Sequence, residues 1–278
     1  MHIVDAQVHI WEADSPERPW AKGMRPPQRA QPFSADDLAW EMDAAGVERA
    51  ILIPPSWAGD YNGTVIAAAR AYPGRFAAVG RFPVDHPDRA GLVAQWKAQG
   101  MLGLRLTFIT DLEKALMSDP RSEDLWSAAQ RHGVPVMLYP YAYLRELAGV
   151  AARHPDLRLV VDHMAAQRAK DAEAFANLPD LLALAQYPNV AVKASALPHY
   201  STQSYPYPAL HDPIRRVVDA FGVKRVFWGT DLTRLPCTYR QAVTLFTEEL
   251  PFLSASDKEW VMGRGLCEWM GWPLGAAA

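Results

Sequence analysis

Cysteine is scarce in this sequence, which has only Cys237 and Cys267 among its 278 residues. Two cysteines are too few for a disulfide framework and their spacing matches no metal-binding motif, so we expect reduced thiols. The chain also lacks an apolar run long enough to span a bilayer, and its first residues lack the cationic start and apolar core of a signal peptide. These absences argue against a disulfide scaffold and a membrane protein, and they predict a cytoplasmic protein.

The sequence also has no excess of positive charge, because it contains 28 Lys and Arg and 31 Asp and Glu, which gives a net charge of −3. Surfaces that bind nucleic acid or anionic membranes normally need clustered Lys and Arg. We therefore predict a small-molecule substrate as the partner, with no nucleic acid and no membrane, and leave a homo-oligomer open. With 50% hydrophobic and 21% charged residues, the chain can bury a sizeable core.

Short apolar strand patterns alternate with helical patterns along the chain. Strands are predicted at 1–10, 49–54, 76–82, 102–108, 135–139, 157–164, 190–195 and 225–231. Helices are predicted from Ser34 to a stop at Gly46, at 64–71, 89–97, 122–132, 144–154, 172–187 and 213–221, and at the end at 260–272. Parallel strands need helical crossovers, and eight such units close a barrel. With no linker in sight, the sequence predicts an α/β protein, a single (β/α)8 TIM-barrel domain over 1–278.

The first predicted strand carries three polar side chains, Asp5, Gln7 and His9, at a spacing of two among apolar residues. On a regular strand this spacing places all three on one face. Polar groups that face a protein interior are costly unless they are used there, so the pattern favours a functional face. An edge strand with one wet face would give the same pattern.

In α/β barrels the active site lies at the carboxyl ends of the strands. The polar residues there are Gln7, His9, Arg105, Tyr139, Asp162, His163, Lys193, Ser195 and Asp231. The loops after the second and eighth strands add Trp57, Tyr61, Asn62, Arg234 and Tyr239. Each residue alone has a structural explanation, such as a helix cap for Asp231 or a rim position for Lys193. Their concentration at one end of the barrel predicts an active site.

Two long irregular segments, 11–33 and 199–211, interrupt the alternation and are rich in aromatics and proline. Segments of this length are typical of lids or binding loops, and their aromatic rings suit a ring-shaped ligand, although packing of the barrel rim explains them equally well. Arg105, Lys193 and Arg234 together would bind an anionic group. Arginine is the stronger candidate because its fork holds a carboxylate through two hydrogen bonds.

Four motifs in order, DAQVHIW (5–11), MDAAGVERAILIP (42–54), VVDHMA (160–165) and AFGVKRVFWGTD (220–231), resemble the amidohydrolase superfamily. The likeness is to the branch that includes 2-pyrone-4,6-dicarboxylate lactonase and the sugar lactonases. This resemblance implies a distorted (β/α)8 barrel. It also implies that the first-strand motif with Gln7 and His9, the histidine His163 and the aspartate Asp231 build the active site.

The chain departs from the metal-dependent members of that superfamily, which carry His-x-His where this sequence has Gln7, Val8 and His9. A neutral amide is a poor zinc ligand, and Tyr139 on strand five offers no replacement. The resemblance therefore suggests a lactonase without a cofactor, in which Asp231 activates water and His9, His163 and Gln7 stabilise the oxyanion. Substrate contacts are predicted for Arg105, Lys193, Arg234, Tyr139, Ser195, Trp57 and Tyr61.

The competing interpretation belongs to another reaction class. On the same scaffold, one Zn²⁺ or Mn²⁺ held by His9, His163 and Asp231 would serve a decarboxylase or hydratase of a small aromatic or unsaturated carboxylate. The sequence also does not choose between a pyrone-like acid and a sugar lactone as the substrate.

Overall fold

The structure, a computed structural model, describes residues 1–274, so the last four residues of the predicted domain lie outside its described part. Its eight strands are β1 (Val4–Val8), β2 (Arg49–Leu52), β3 (Phe76–Arg81), β4 (Met101–Leu106), β5 (Val136–Leu138), β6 (Leu159–Val161), β7 (Val190–Ser195) and β8 (Val226–Gly229). They form one parallel sheet in chain order. The predicted (β/α)8 barrel is confirmed.

Helices follow the strands as the alternation predicts. They are α1 (Ala35–Ala45), α2 (Gly63–Ala71), α3 (Arg89–Gln95), α4 (Asp111–Ala115), α5 (Glu123–Arg131), α6 (Leu144–Arg153), α7 (Asp171–Ala174), α8 (Leu178–Ala183), α9 (Pro208–Phe221), α10 (Tyr239–Thr247), α11 (Ala255–Glu259) and α12 (Gly265–Met270). Ser34 and Asp37 form a capping box at the start of α1, and Gly46 ends it at φ 76°. No helix within 1–274 has the length and apolar character needed to cross a bilayer.

Some predicted boundaries are wrong for local reasons. The predicted helix at 172–187 is divided into α7 and α8, and Pro179 lies in the first turn of α8, where its missing N–H costs nothing. Helix α9 already begins at Pro208, so Pro213 lies inside it instead of starting it. The predicted terminal helix at 260–272 corresponds to a wider turn, Trp260–Arg264, followed by α12, and α11 before it was not predicted.

Helix α12 closes the amino-terminal end of the barrel. Its residues Leu266, Cys267 and Met270 pack against Val4 and Phe227 in the inner core. A second, larger apolar layer lies between the strands and the surrounding helices. Closure of one end leaves the carboxyl ends of the strands as the open mouth of the barrel.

A β-bulge in β1 changes which side chains face the barrel interior. Asp5 pairs with Ala50 and Val8 with Leu52, so three steps along β1 match two along β2. Val4 and Ala6 belong to the inner core whereas Val8 packs in the outer layer, which shows that the bulge inverts the alternation. The prediction that Asp5 shares a face with Gln7 and His9 is therefore wrong.

Asp5 instead bridges the seam between β1 and β8. Its Oδ1 accepts hydrogen bonds from the backbone N–H groups of Gln7 and Thr230, at 3.0 and 2.9 Å. Its Oδ2 accepts from the hydroxyls of Thr230 and Tyr239, at 2.5 and 2.7 Å. Burial raises the pKa of Asp5 to about 6. Gly229 lets the strands approach, because a Cβ there would lie 3.1 Å from Ala6. Tyr239 thus belongs to this seam and not to the mouth.

Candidate active site

A cavity of about 420 Å³ opens at the carboxyl ends of the strands. Of the predicted site residues it is lined by His9, Trp57, Arg105, Tyr139, His163, Asp231 and Arg234. Both long irregular segments contribute to its wall, with Met24 and Arg25 from 11–33 and with His199 and Tyr200 from 199–211. The structure therefore brings residues from most of the chain to one site.

Asp231 lies at the base of this cavity with its side chain 2% exposed. Its Oδ1 is 3.2 Å from Nε2 of His9, and its Oδ2 is 3.0 Å from Nε of Arg234 and 3.8 Å from Nε2 of His163. Burial alone would raise the pKa of Asp231, but the charges of Arg234 and His9 outweigh it and hold the pKa well below its usual value. The carboxylate therefore stays ionised at neutral pH.

His9 stands between two acceptors. Its Nδ1 is 2.7 Å from the carbonyl oxygen of Ile53, and its Nε2 faces the carboxylate of Asp231. An imidazole that carries hydrogen on both nitrogens would donate to Ile53 and to Asp231 at once.

His163 is held as a neutral acceptor by a chain of hydrogen bonds. Lys193 can only donate, so the oxygen of the Gln7 amide must face its Nζ, at 2.6 Å. The NH2 group of Gln7 then points at Nε2 of His163, 3.3 Å away, and this nitrogen accepts. The other ring nitrogen of His163 lies 2.8 Å from the hydroxyl of Ser195, to which it donates. Burial lowers the pKa of His163 to about 3, in agreement with a neutral ring.

Lys193 and Ser195 lie behind the cavity wall, fully buried, and position other residues instead of facing the cavity. This excludes the rim position considered for Lys193. Its Nζ pairs with Asp162 at 2.5 Å, and Nη2 of Arg105 pairs with the same carboxylate at 2.9 Å. Tyr61 also lies outside the cavity, in a neighbouring groove with Trp20. Substrate contacts predicted for Lys193, Ser195 and Tyr61 thus have no support from their placement.

Residues in the left-handed region cluster at the mouth. Phe108, His163, Ala196 and Asp231 follow β4, β6, β7 and β8 with φ between 50° and 58°. Such a conformation costs on the order of 1–3 kcal/mol for a residue other than glycine, and it aims the side chain where a regular strand would not. The change of conformation at His163 and Asp231 also makes β6 and β8 end earlier than the predicted strands 157–164 and 225–231 do.

His9, His163 and Asp231 are the side chains that would ligate a divalent metal here. A metal ligand must present a free lone pair, but the lone pair on Nε2 of His163 accepts from Gln7, and the positive charge of Arg234 beside Asp231 would repel a cation. Within 1–274, no group of three or more His, Cys, Asp or Glu is arranged to hold a metal. While these contacts are in place, His9, His163 and Asp231 do not fit a metal ion.

The sequence reasoning missed several cations of the cavity wall. Arg81 is the last residue of β3 and Arg105 the last but one of β4, so the same positional rule would have found Arg81. Arg25, Arg168 and Lys170 lie on loops and give no such signal. Among the described residues that line the cavity, Asp231 is the one acidic side chain. The cavity is therefore strongly cationic.

Comparisons with known proteins agree on one family. A family model described as amidohydrolase matches residues 4–264. An L-fucono-1,5-lactonase from Burkholderia ambifaria is 26% identical over 237 residues, which cover 82% of this chain and 79% of that protein.

Solved structures show the same fold. A probable 2-pyrone-4,6-dicarboxylic acid hydrolase from Acinetobacter baumannii with bound citric acid is 17% identical with a TM-score of 0.79, covering 98% of this chain and 100% of the other. An amidohydrolase from Burkholderia multivorans with bound zinc is 23% identical with a TM-score of 0.79 and the same coverage.

Proposed function

Because the chain belongs to the amidohydrolase family, we propose that it hydrolyses a small carboxylated lactone without a metal, using water activated by Asp231. The observation that carries this proposal is the ionised Asp231, which lies between His9 and Arg234 at the bottom of a cationic cavity. The names of the relatives, a sugar lactonase and a probable pyrone dicarboxylate hydrolase, support the same reaction class.

In the proposed reaction, water attacks the lactone carbonyl carbon while Asp231 accepts one of its protons. The tetrahedral intermediate then collapses, and the bond between the carbonyl carbon and the ring oxygen breaks. The leaving oxygen takes the proton back from Asp231, and the product is an open-chain hydroxy acid. A lactone needs less activation than an amide, so positioned donors and a base suffice in principle.

His9 and Arg234 are the donors nearest to the base. Negative charge that develops on the carbonyl oxygen would find these two cationic groups beside Asp231, at 3.2 and 3.0 Å from its oxygens. The role predicted for His163 changes here, because its Nε2 accepts from Gln7 and has no hydrogen to donate. In the proposed mechanism, His163 forms part of the wall beside the base, and Gln7, buried behind it, holds the His163 ring in place.

The shape and charge of the cavity support an anionic ring as the substrate. Arginine side chains outnumber the single carboxylate of its wall, and the rings of Trp57, Tyr139 and Tyr200 line it as well. Cationic groups with aromatic faces suit a small planar acid. A carboxylated pyrone fits this description better than a neutral sugar lactone does.

Ring opening measured before and after removal of metal tests the proposal. Protein dialysed against EDTA should still open a carboxylated 2-pyrone, which is measured as the loss of the ring absorbance. The same protein should contain no stoichiometric metal by mass spectrometry. Loss of activity that zinc restores would contradict metal independence.

The second candidate is the metal-dependent decarboxylase or hydratase, which the convergence of His9, His163 and Asp231 favours. Under that interpretation Gln7 would have to turn away from Nε2 of His163 to release its lone pair. Carbon dioxide release from an aromatic carboxylate by the zinc-loaded protein, with no lactone opened, would select this candidate.

A further inference from the structure

Two buried arginines stand side by side on the wall of the cavity. The ladder between β3 and β4 pairs Arg81 directly with Arg105. Both side chains line the cavity, and the two residues are only 6% and 5% exposed. Neighbouring strands in a sheet lie about 4.8 Å apart, so the two guanidinium groups project into the cavity from adjacent positions.

Arg81 has little to bind within the protein. Its Nη atoms lie 3.4 and 3.5 Å from the hydroxyl of Thr107, and Nη2 lies 3.8 Å from Glu113. Its Nε has no hydrogen-bond partner anywhere in 1–274. Glu113 is occupied by other donors, because it accepts the backbone N–H groups of Thr107 and Ile109 at 3.0 Å each.

The charges around this pair do not balance. Asp162 is shared between Arg105 and Lys193, so one carboxylate serves two cations. With Glu113 added, two buried carboxylates face the three buried cations Arg81, Arg105 and Lys193, and Asp60, a further carboxylate near Arg81, is exposed to solvent. A buried charge without a full partner is costly, and an anion in the cavity would offset this cost.

We propose that Arg81 and Arg105 form a subsite for a carboxylate of the substrate, and that Arg81 determines specificity for carboxylated lactones. The inference rests on the proposed function, in which the scissile carbonyl lies at Asp231. Asp231 follows β8, and β4 stands opposite β8 in a barrel of eight strands in chain order. The substrate would therefore carry its carboxylate on the far side of the ring from the ester, where a sugar lactone offers only hydroxyls.

Kinetics on a matched pair of substrates tests the role of Arg81. The probes are 2-oxo-2H-pyran-5-carboxylate and unsubstituted 2-pyrone, both followed by loss of ring absorbance. In Arg81→Met, kcat/KM for the carboxylate should fall at least about 30-fold, mainly through KM, as expected when one partner of a buried charge pair is removed. The value for 2-pyrone should change less than about threefold, and Arg81→Lys should recover part of the loss.

Arg121→Met is the control for the change in net charge, because the side chain of Arg121 is 85% exposed and pairs with Asp119 at the surface. It should leave both substrates unaffected. Equal losses on both pyrones in Arg81→Met, or no loss on either, would overturn the proposal.

Calorimetric titration with citrate separates this inference from the proposed function. The wild-type protein should bind citrate, and Arg81→Met should bind it at least about 30-fold more weakly, whether or not any lactone is hydrolysed. Citrate binding that depends on Arg81 without lactone opening would retain the subsite and reject the lactonase. Failure of the wild-type protein to bind citrate, or equal binding by both proteins, would overturn the subsite.

Discussion

Asp231→Asn tests whether Asp231 is the catalytic base. The structure indicates that this substitution fits, because the asparagine amide would keep an acceptor toward Nε of Arg234 and place its NH2 group toward Nε2 of His9. His9 can release one proton and accept from that NH2 group. Because the Arg234 side chain, whose charge loses its partner, is 31% exposed and can be solvated, we expect the melting temperature to fall by only a few degrees.

The catalytic effect should be much larger than the structural one. An amide cannot accept a proton from water, and a positioned base contributes about 10²–10⁴-fold, so kcat should fall at least about 100-fold, or about 2.7 kcal/mol of activation free energy. KM should change little, because the side chain occupies the same volume.

The pH profile gives a second readout. The pKa of Asp231 lies well below its usual value, so the wild-type carboxylate remains ionised, and the acidic limb due to it should lie at lower pH than an ordinary aspartate would give. That limb should be missing from the residual activity of Asp231→Asn. Asp111→Asn, at a side chain that is 97% exposed, is the control and should retain full activity.

A contrary result would be clear. If Asp231→Asn keeps most of its kcat but melts at a markedly lower temperature, Asp231 is a structural residue at the end of β8. The search for the base would then return to His163 and His9.

Three further predictions concern the groups behind the site. Lys193→Met should lower the free energy of unfolding by about 1–3 kcal/mol in urea titrations, because the buried oxygen of Gln7 loses its donor while Asp162 keeps Arg105 as a partner; no loss would contradict these contacts. Gln7→His should raise zinc affinity at least about tenfold by calorimetry, since it adds an imidazole beside His9 and His163, without faster lactone hydrolysis; a large zinc-dependent gain would indicate a metalloenzyme. The contribution of Asp5 to the free energy of unfolding should fall as pH rises from about 4 to about 6, because its raised pKa makes the native state bind its proton more tightly than the unfolded state does. The lowered pKa of His163 gives the opposite slope in this range, so the readout is the difference between the wild-type protein and Asp5→Asn in urea titrations at stepped pH. This difference should shrink as pH rises, and a difference that is independent of pH would contradict the raised pKa of Asp5.

The alternation of strand and helix patterns determined the barrel, because both periods are local properties of the chain. Once the strands are parallel, their carboxyl ends must meet at one edge. For this reason the sequence alone predicted that His9, Arg105, His163 and Asp231 converge on one mouth, and the structure places all four on the cavity wall.

Tertiary structure decided which polar groups face the cavity and in which state. The bulge that turns Asp5 away from Gln7 is set by pairing with β2, and no pattern within β1 reveals it. Gln7 and Lys193 are 186 residues apart, yet their hydrogen bond fixes the protonation of His163. The burial of Lys193 follows from pairing with Asp162, the first residue after the neighbouring strand β6. These contacts join groups from different strands that come together only in the folded barrel. The direction of the hydrogen bonds and the charge of each group in the site therefore depend on the whole fold.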